Sequence, residues 1–140
     1  MIRDNYTFFI IHYSLKNMLI NFSNHPSDKW DEMQKQTALS QFGSIVDLQF
    51  PQVDPQANES GIRELANQYV QRIKEMLTLQ ENKFPVAVHI MGEMTFLFCV
   101  INLLKNNEIQ CLASTTQRKA IVDDKGVKTS VFEFVRFRNY

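Results

Sequence analysis

Short apolar runs alternate with longer amphipathic segments along this chain. Four compact runs, at residues 18–22, 44–50, 86–90 and 109–113, are each bounded by polar or turn-forming residues, which is typical of buried strands. In the segments between them, apolar residues recur every three or four positions, which predicts helices. The expected order is therefore strand, helix, strand, helix, strand, helix, strand.

Three helices are expected between these strands. The first is capped by Ser27 or Asp28 and ends near residue 42, because Gly43 tolerates the left-handed conformation that closes helices. The third, at residues 96–104, is apolar nearly all round, so we expect burial on both sides, by the sheet and by a second subunit. The second ends at residues 81–83 and carries one apolar stripe, formed by Ile62, Leu65, Ala66, Tyr69, Ile73 and Met76.

The chain ends in a predicted antiparallel hairpin over residues 120–137, with an Asp- and Gly-containing turn at residues 123–126. The whole order predicts an α/β fold: a Rossmann-like, mostly parallel sheet flanked by helices, with a C-terminal antiparallel β-hairpin. Residues 18–140 form a single domain in this interpretation. Residues 1–17 are interpreted as an extension before a natural start at Met18, or alternatively as an edge strand or hydrophobic arm.

The balance of charge limits the partners. The 140 residues include 15 Lys and Arg and 15 Asp and Glu, a formal net charge of zero. Binding to long DNA or RNA needs many basic contacts to phosphates, so any nucleic-acid partner is expected to be small. Residues 18–84 hold six basic and nine acidic residues, whereas residues 85–140 hold seven basic and five acidic. A small polyanion is therefore expected to bind toward the C-terminal half.

Cysteine and hydropathy patterns indicate a cytoplasmic protein without a cofactor. Cys99 and Cys111 lie in apolar runs with no CxxC pair, so we expect reduced, buried thiols rather than a zinc site or a disulfide. No apolar run reaches the roughly 18 to 20 residues that cross a bilayer, so no membrane partner is expected. Motifs of dinucleotide enzymes, Walker NTPases, zincins and serine hydrolases are absent, and neither a metal nor another cofactor is expected.

Polar residues follow three of the predicted strands, where the loops of a parallel sheet converge on ligands. Helix N-termini beside such loops present unpaired N–H groups, so phosphate is the natural ligand. The candidates are Ser23, Asn24 and His25 after the first strand, Gly92, Glu93 and Thr95 after the third, and Ser114, Thr115, Thr116 and Arg118 in a polar loop at residues 114–116 and just beyond it.

Several candidates also have a structural interpretation. His25 suits proton transfer, or its turn simply caps a backbone group. Glu93 is a carboxylate base or a helix cap, and His89 is interpreted as a core histidine. In the last strand, period-two alternation puts Arg136 and Arg138 on one face, with Val135 and Phe137 on the other. The two arginines either bind phosphates or bases, or form a charged sheet edge.

Four stretches carry a family resemblance: NFSNHPS at residues 21–27, GEMT at residues 92–95, ASTTQR at residues 113–118 and VRFRNY at residues 135–140. With these stretches, the chain from residue 18 onward resembles the small CRISPR-associated proteins of type III systems, proposed ring nucleases with a Rossmann-like fold related to CARF domains. The resemblance implies a homodimer that binds cyclic oligoadenylate, in particular the tetra-adenylate ring, across its two-fold axis. It also implies cleavage of the ring, which ends the antiviral signal.

The implied reaction is metal-independent attack of a ribose 2′-hydroxyl on the neighbouring phosphorus. The resemblance assigns catalysis to Ser23, Asn24, His25 and Arg118. It assigns ligand binding to Gly92, Glu93, Thr95, Ser114, Thr115, Thr116, Arg136 and Arg138. Two other functions stay open: a sponge or sensor that binds the cyclic nucleotide without cutting it, and a non-catalytic interaction protein whose polar loops are only caps.

Overall fold

The structure, a computed structural model, describes residues 18–78 and 86–140. Its strands are β1 (Met18–Ser23), β2 (Ile45–Asp47), β3 (Val86–Met91), β4 (Gln110–Val122) and β5 (Lys128–Asn139). Its α-helices are α1 (Glu32–Phe42), α2 (Glu59–Thr78) and α3 (Met94–Asn106). The predicted helix end at residues 81–83 and the predicted extension at residues 1–17 lie outside the described residues.

The five strands form one sheet in the order β2-β1-β3-β4-β5. β1 pairs in parallel with β2 and β3, and β3 pairs in parallel with β4. β5 returns antiparallel along β4. The predicted α/β fold, with its mostly parallel sheet and terminal hairpin, is therefore confirmed. From β1 and β3 the chain continues to opposite sides of the sheet, so their carboxyl ends form the switch point where ligands of such sheets bind.

Helices cover both faces of the sheet. One face, the α1 face, packs Leu19, Ala87 and Leu112 against Ala38 and Phe42 of α1 and against Trp30, Phe134 and Phe137. The opposite face packs against α2 and α3. The predicted stripe of α2 is confirmed there, because Ile62, Ala66 and Ile73 are buried and the other three stripe residues pack against the same core.

The start of α1 differs from the prediction. Residues Ser27–Lys29 form one 3-10 turn, and α1 begins only after Asp31, whose side chain accepts a hydrogen bond from the Gln34 N–H at 2.7 Å. Ser27 and Asp28 are therefore not the cap of the α-helix. The reason is Trp30, which has extended backbone geometry and turns its indole into the α1 face. Gly43, with a φ of 76°, closes the helix as predicted.

β4 is much longer than predicted. Residues 114–116 are not a loop, because β4 continues without a break to Val122 and pairs with β5 over its whole second half. Beyond Leu112, the last residue paired with β3, the two strands form a ribbon that extends past the sheet. We call residues 114–134 the ribbon. Both faces of the ribbon are largely exposed to solvent, so it carries many polar residues. For that reason its composition resembles that of a loop, although β-branched residues such as Thr favour strands.

A bulge breaks the alternation of β5. Thr115 pairs with Arg136 and Thr116 pairs with Phe134, which leaves Val135 as an extra residue. As a result Phe134 and Phe137 are both buried on the α1 face, while Val135 is exposed. The prediction that Val135 and Phe137 share a face is therefore wrong.

Two further elements differ from their predictions in extent. β2 ends at Asp47 instead of residue 50, because the chain leaves the sheet and places the Phe50 ring over Gly92, where an added Cβ would lie 2.2 Å from the ring. α3 begins at Met94 and is buried on one side only within this chain. Met94 and Phe98 are 80% and 67% exposed. None of the helices in the described ranges has the length and hydropathy needed to span a membrane.

Candidate functional site

Four polar side chains form a hydrogen-bonded line across four neighbouring strands on the α1 face. Asp47 ends β2, Asn21 lies in β1, His89 lies in β3 and Ser114 lies in β4. Asn21 Nδ2 donates to Asp47 Oδ1 at 2.8 Å, His89 Nδ1 lies 2.9 Å from Asn21 Oδ1, and His89 Nε2 lies 3.1 Å from Ser114 Oγ. We call this line the cross-strand network. It ties the carboxyl ends of β1, β2 and β3 to β4 at the point where β4 leaves the sheet.

The orientation of the Asn21 amide fixes the tautomer of His89. Asn21 Nδ2 faces two oxygens, Asp47 Oδ1 and the His25 carbonyl at 2.9 Å, which can only accept hydrogen bonds. Asn21 Oδ1 is therefore the atom that faces the imidazole, and His89 Nδ1 must carry the proton. His89 Nε2 then has a lone pair, which accepts the hydroxyl proton of Ser114.

Burial keeps this imidazole uncharged. His89 is 2% exposed and lies edge-to-face against Trp30 and Phe137, with ring centroids 5.1 and 5.7 Å away. Desolvation, with a smaller electrostatic contribution from the neighbouring His25, lowers the pKa of His89 to about 4. At neutral pH the ring is neutral and both of its nitrogens have hydrogen-bond partners, as expected for a core histidine.

The loop after β1 is fixed through its backbone. The carbonyl of His25 accepts hydrogen bonds from Asn21 Nδ2, from Ser23 Oγ at 3.1 Å and from Trp30 Nε1 at 3.1 Å. Ser23 is buried, whereas the side chains of Asn24 and His25 are exposed. Beside Asn24 lies a surface cavity of about 500 Å³, bounded on its far side by residues 47–50 and Gln52. The loop therefore presents Asn24 and His25 at the switch point on a rigid base.

The N-termini of α1 and α3 are occupied by carboxylates of the chain itself. Asp31 caps α1 and also accepts from the Phe134 N–H at 3.2 Å. Glu93 caps α3, accepting from the Phe96 N–H at 2.8 Å and from the Thr95 N–H at 3.2 Å. These hydrogen bonds hold the pKa of the Glu93 carboxyl below its usual value, and the bond from the Phe96 N–H has the largest effect. A phosphate at either helix would compete with an existing anion.

The remaining candidates are divided between the two faces of the hairpin that β4 and β5 form. Ser114 bonds to His89 on the α1 face, and because alternate residues of a strand share a face, Thr116 and Arg118 lie on that face too. Thr115, Arg136 and Arg138 lie on the opposite face, since residues paired across strands point the same way. On the α1 face, Arg118 Nε donates to Ser130 Oγ at 2.9 Å.

The structure thus brings some candidates together and separates others. Ser23, the His25 carbonyl and Ser114 meet through the cross-strand network, with Thr116 and Arg118 beyond them. Glu93 and Thr95 form the cap of α3, and Gly92 serves the close approach of Phe50. Asn21 and Asp47 were not among the predicted site residues, although Asn21 is the single polar residue of the run at 18–22 and Asp47 the single charged residue of the run at 44–50.

Comparison with known families gives one clear result. A family model covers residues 17–138. This range includes all three α-helices and the whole sheet except Asn139, the last residue of β5. The chain belongs to the uncharacterized protein MJ1673 family. Searches of curated proteins and of solved structures found no match. Membership of this family assigns no chemistry, so the function has to be argued from the site.

The chemistry of the site is that of neutral hydrogen-bonding groups with a few cations. In the described part of the chain, no three His, Cys, Asp or Glu side chains converge as they would around a metal ion. Both cysteines are free, with Cys111 buried and Cys99 partly buried. The donors available at the switch point and on the α1 face of the ribbon are the Asn24 amide, the His25 imidazole, the Thr116 hydroxyl and the Arg118 guanidinium.

Proposed function

We propose that this chain is a CRISPR-associated ring nuclease of type III systems. In this proposal a cytoplasmic homodimer binds cyclic oligoadenylate, in particular the tetra-adenylate ring, and cleaves it by metal-independent attack of a 2′-hydroxyl. The cross-strand network is the observation that carries the proposal, because it holds the loop of Ser23, Asn24 and His25 and the Ser114 hydroxyl at one edge of the sheet. The sequence resemblance supplies the identity of the ligand.

The placement of cations supports a small polyanion rather than a long one. Arg118 lies on the same face of the ribbon as Ser114, and His25 is exposed on the loop after β1. Since the N-termini of α1 and α3 already hold Asp31 and Glu93, the phosphates are expected at the ribbon and the loop instead of at the helices. A cyclic tetranucleotide fits a neutral protein that concentrates a few such groups at one edge.

The reaction needs positioning more than strong acid or base groups. In-line attack forms a bond from the 2′-oxygen to the neighbouring phosphorus and breaks the bond from phosphorus to the 5′-oxygen, which leaves a 2′,3′-cyclic phosphate. Arg118 would stabilise the charge that develops on the phosphoryl oxygens. His25 would move a proton between the attacking and leaving oxygens and solvent. Ser23 and Asn24 would hold the loop and the ribose in place.

Ring cleavage is tested with labelled cyclic tetra-adenylate in EDTA, followed by separation of the products. We expect linear product from the wild type, and for Arg118→Ala a loss of roughly ten- to a hundredfold in kcat/KM, since a charged hydrogen bond to phosphate contributes about 1.5 to 3 kcal/mol. Arg72→Ala on α2, away from the site, is the matched control and should cleave at the parental rate. His25→Ala should bind the ring but cleave it more slowly.

Other outcomes of the same experiment identify the alternatives. Tight binding without product would make the protein a sponge or sensor. The bond from Arg118 to Ser130 is compatible with that outcome, because it holds the guanidinium on the ribbon, where it can bind a phosphate without taking part in cleavage. The absence of binding would leave a non-catalytic interaction protein. Parental cleavage by both His25→Ala and Arg118→Ala would remove these residues from the site.

The proposed homodimer is assigned to the exposed side of α3. Met94 and Phe98 are exposed there beside a cavity of about 460 Å³ that is lined mainly by apolar side chains, including Ile62 and Cys99. An exposed apolar patch of this kind is typical of an interface between subunits. A second copy would bury the side of α3 that this chain leaves uncovered.

Phe98→Asp is expected to convert the dimer to a monomer, because it would place a charge in the desolvated interface. Sedimentation equilibrium of the wild type and the variant measures the change. The matched control is Phe132→Asp on the ribbon, where the ring is 64% exposed. A wild type that sediments as a monomer, or a dimer that Phe132→Asp disrupts and Phe98→Asp does not, would show that α3 is not the interface.

A further inference from the structure

The cross-strand network has a fixed direction of hydrogen bonding. A carboxylate such as Asp47 only accepts, so Asn21 must turn its Nδ2 toward it and its Oδ1 toward His89. His89 then donates from Nδ1 and accepts at Nε2. Ser114 has a single hydroxyl proton, and its acceptors inside the protein are His89 Nε2 at 3.1 Å and the weaker Met91 sulfur at 2.9 Å. The direction of the network, which begins at Asp47, therefore makes His89 Nε2 an acceptor for the Ser114 hydroxyl.

The consequence is a hydroxyl that can accept but cannot donate outward. Ser114 is only partly buried, and its hydroxyl also donates to the Met91 sulfur at 2.9 Å. Because both acceptors of its proton lie inside the protein, the oxygen offers only lone pairs to a bound molecule. A serine without such a partner rotates its proton freely and serves donors and acceptors alike. Ser114 is thus selective for a ligand group that donates a hydrogen bond.

We propose that Ser114 recognises a ribose 2′-hydroxyl and makes this edge of the sheet selective for ribonucleotides over deoxyribonucleotides. The inference rests on the proposed function and names the ligand group that the Ser114 oxygen binds. The 2′-hydroxyl is the donor that RNA has and DNA lacks. When it donates to Ser114, its own lone pairs stay available for the neighbouring phosphorus. Ser114 then contacts the attacking group, while Asn21 and His89 act as positioning residues.

The selectivity is measured as the ratio of two dissociation constants, for cyclic tetra-adenylate and for its fully 2′-deoxy analogue, both obtained by rapid mixing before the ribose ring is cleaved. The wild type is expected to prefer the ribose ring by about thirtyfold, as one hydrogen bond of roughly 1 kcal/mol from each of the two subunits implies. Ser114→Ala should bind both rings about equally. Thr129→Ala removes an exposed hydroxyl near the tip of the ribbon, outside the proposed site; it is the matched control and should keep the preference.

A second measurement tests the direction of the network without any ligand. Nitrogen-15 NMR of the His89 ring at pH 7 is expected to show a protonated Nδ1 and an unprotonated Nε2. The opposite tautomer would overturn the proposal, because Ser114 would then accept from His89, and its proton, held only by the weak Met91 acceptor, could turn toward a ligand. This readout depends on hydrogen-bond direction and not on whether the variant proteins fold.

The failure of this inference is distinguishable from the failure of the proposed function. If the wild type binds the ribose ring and Ser114→Ala retains its preference over the deoxy ring, Ser114 is not the selective group and the proposed function stands. If the wild type binds neither ring, the proposed function is wrong, and Ser114 does not select the ribose of this ligand.

Discussion

Asn21→Asp is expected to destabilise the fold by roughly 3 kcal/mol or more, although the two side chains have nearly the same shape. Asn21 is 1% exposed and donates to both Asp47 and the His25 carbonyl. The variant removes both donors and places a second carboxyl group about where Nδ2 lay, 2.8 Å from Asp47 Oδ1. Each buried group that loses its partner costs about 1 to 3 kcal/mol, and two adjacent carboxylates repel each other.

Urea unfolding at pH 7 measures this loss, and Asp47→Asn is the matched control. Asp47 is exposed and accepts from the backbone and hydroxyl of Ser27, so its replacement should cost only about 1 kcal/mol. The double variant Asn21→Asp/Asp47→Asn restores a donor opposite a carboxylate and should recover part of the stability. Losses that simply add in the double variant would mean that the two side chains do not interact.

Elements determined by local sequence were predictable. The apolar stripe of α2 and the glycine that closes α1 are properties of a few neighbouring residues, and both have the expected structure. The buried strands β1 and β3 were likewise recognisable as short apolar runs. In each case the physical cause acts within one segment of the chain. The causes are the 3.6-residue period of α2, the positive φ of Gly43 and the continuous apolar runs of β1 and β3.

Features that depend on distant partners were not predictable. Residues 114–116 form a strand because β5 pairs with them, and nothing within Ser-Thr-Thr itself distinguishes a strand from a loop. The bulge at Val135 is favoured by a hydrogen bond from the neighbouring Phe134 N–H to the Asp31 side chain. Asp31 caps α1 and lies 103 positions earlier in the chain. A period-two argument along β5 alone could not include that contact.

The site was predictable only in part for the same reason. Its loop residues were found because the carboxyl ends of parallel strands converge by a general rule. The cross-strand network depends on register, which places Asn21 directly beside both Asp47 and His89. The only signal in the sequence is that Asn21, Asp47 and His89 each interrupt a mostly apolar run. Without the strand register, these residues look like three unrelated polar residues and not like one hydrogen-bonded network.

The stability of the protein is expected to fall by about 3 kcal/mol as the pH is lowered from 6.5 to 4, through His89 alone. The pKa of His89 is about 4 in the folded protein, whereas that of an exposed histidine is 6.5. Between these values the unfolded chain binds a proton that the folded protein excludes, so acid favours unfolding. The contribution is fully present above pH 6.5. A shift of this size corresponds to about 3 kcal/mol.

Urea midpoints measured from pH 8 to pH 4 test this, with His89→Gln as the control. Glutamine does not titrate, so the variant should be less stable at pH 7 but should lose little further stability between pH 6.5 and 5. Carboxylates such as Glu93, whose folded pKa is lowered, lose their contribution only below about pH 4.5, at the acid end of this range. An unchanged slope in His89→Gln would assign the acid sensitivity to other groups. A flat profile in the wild type would mean that the imidazole can be protonated in place, contrary to its burial between Trp30 and Phe137.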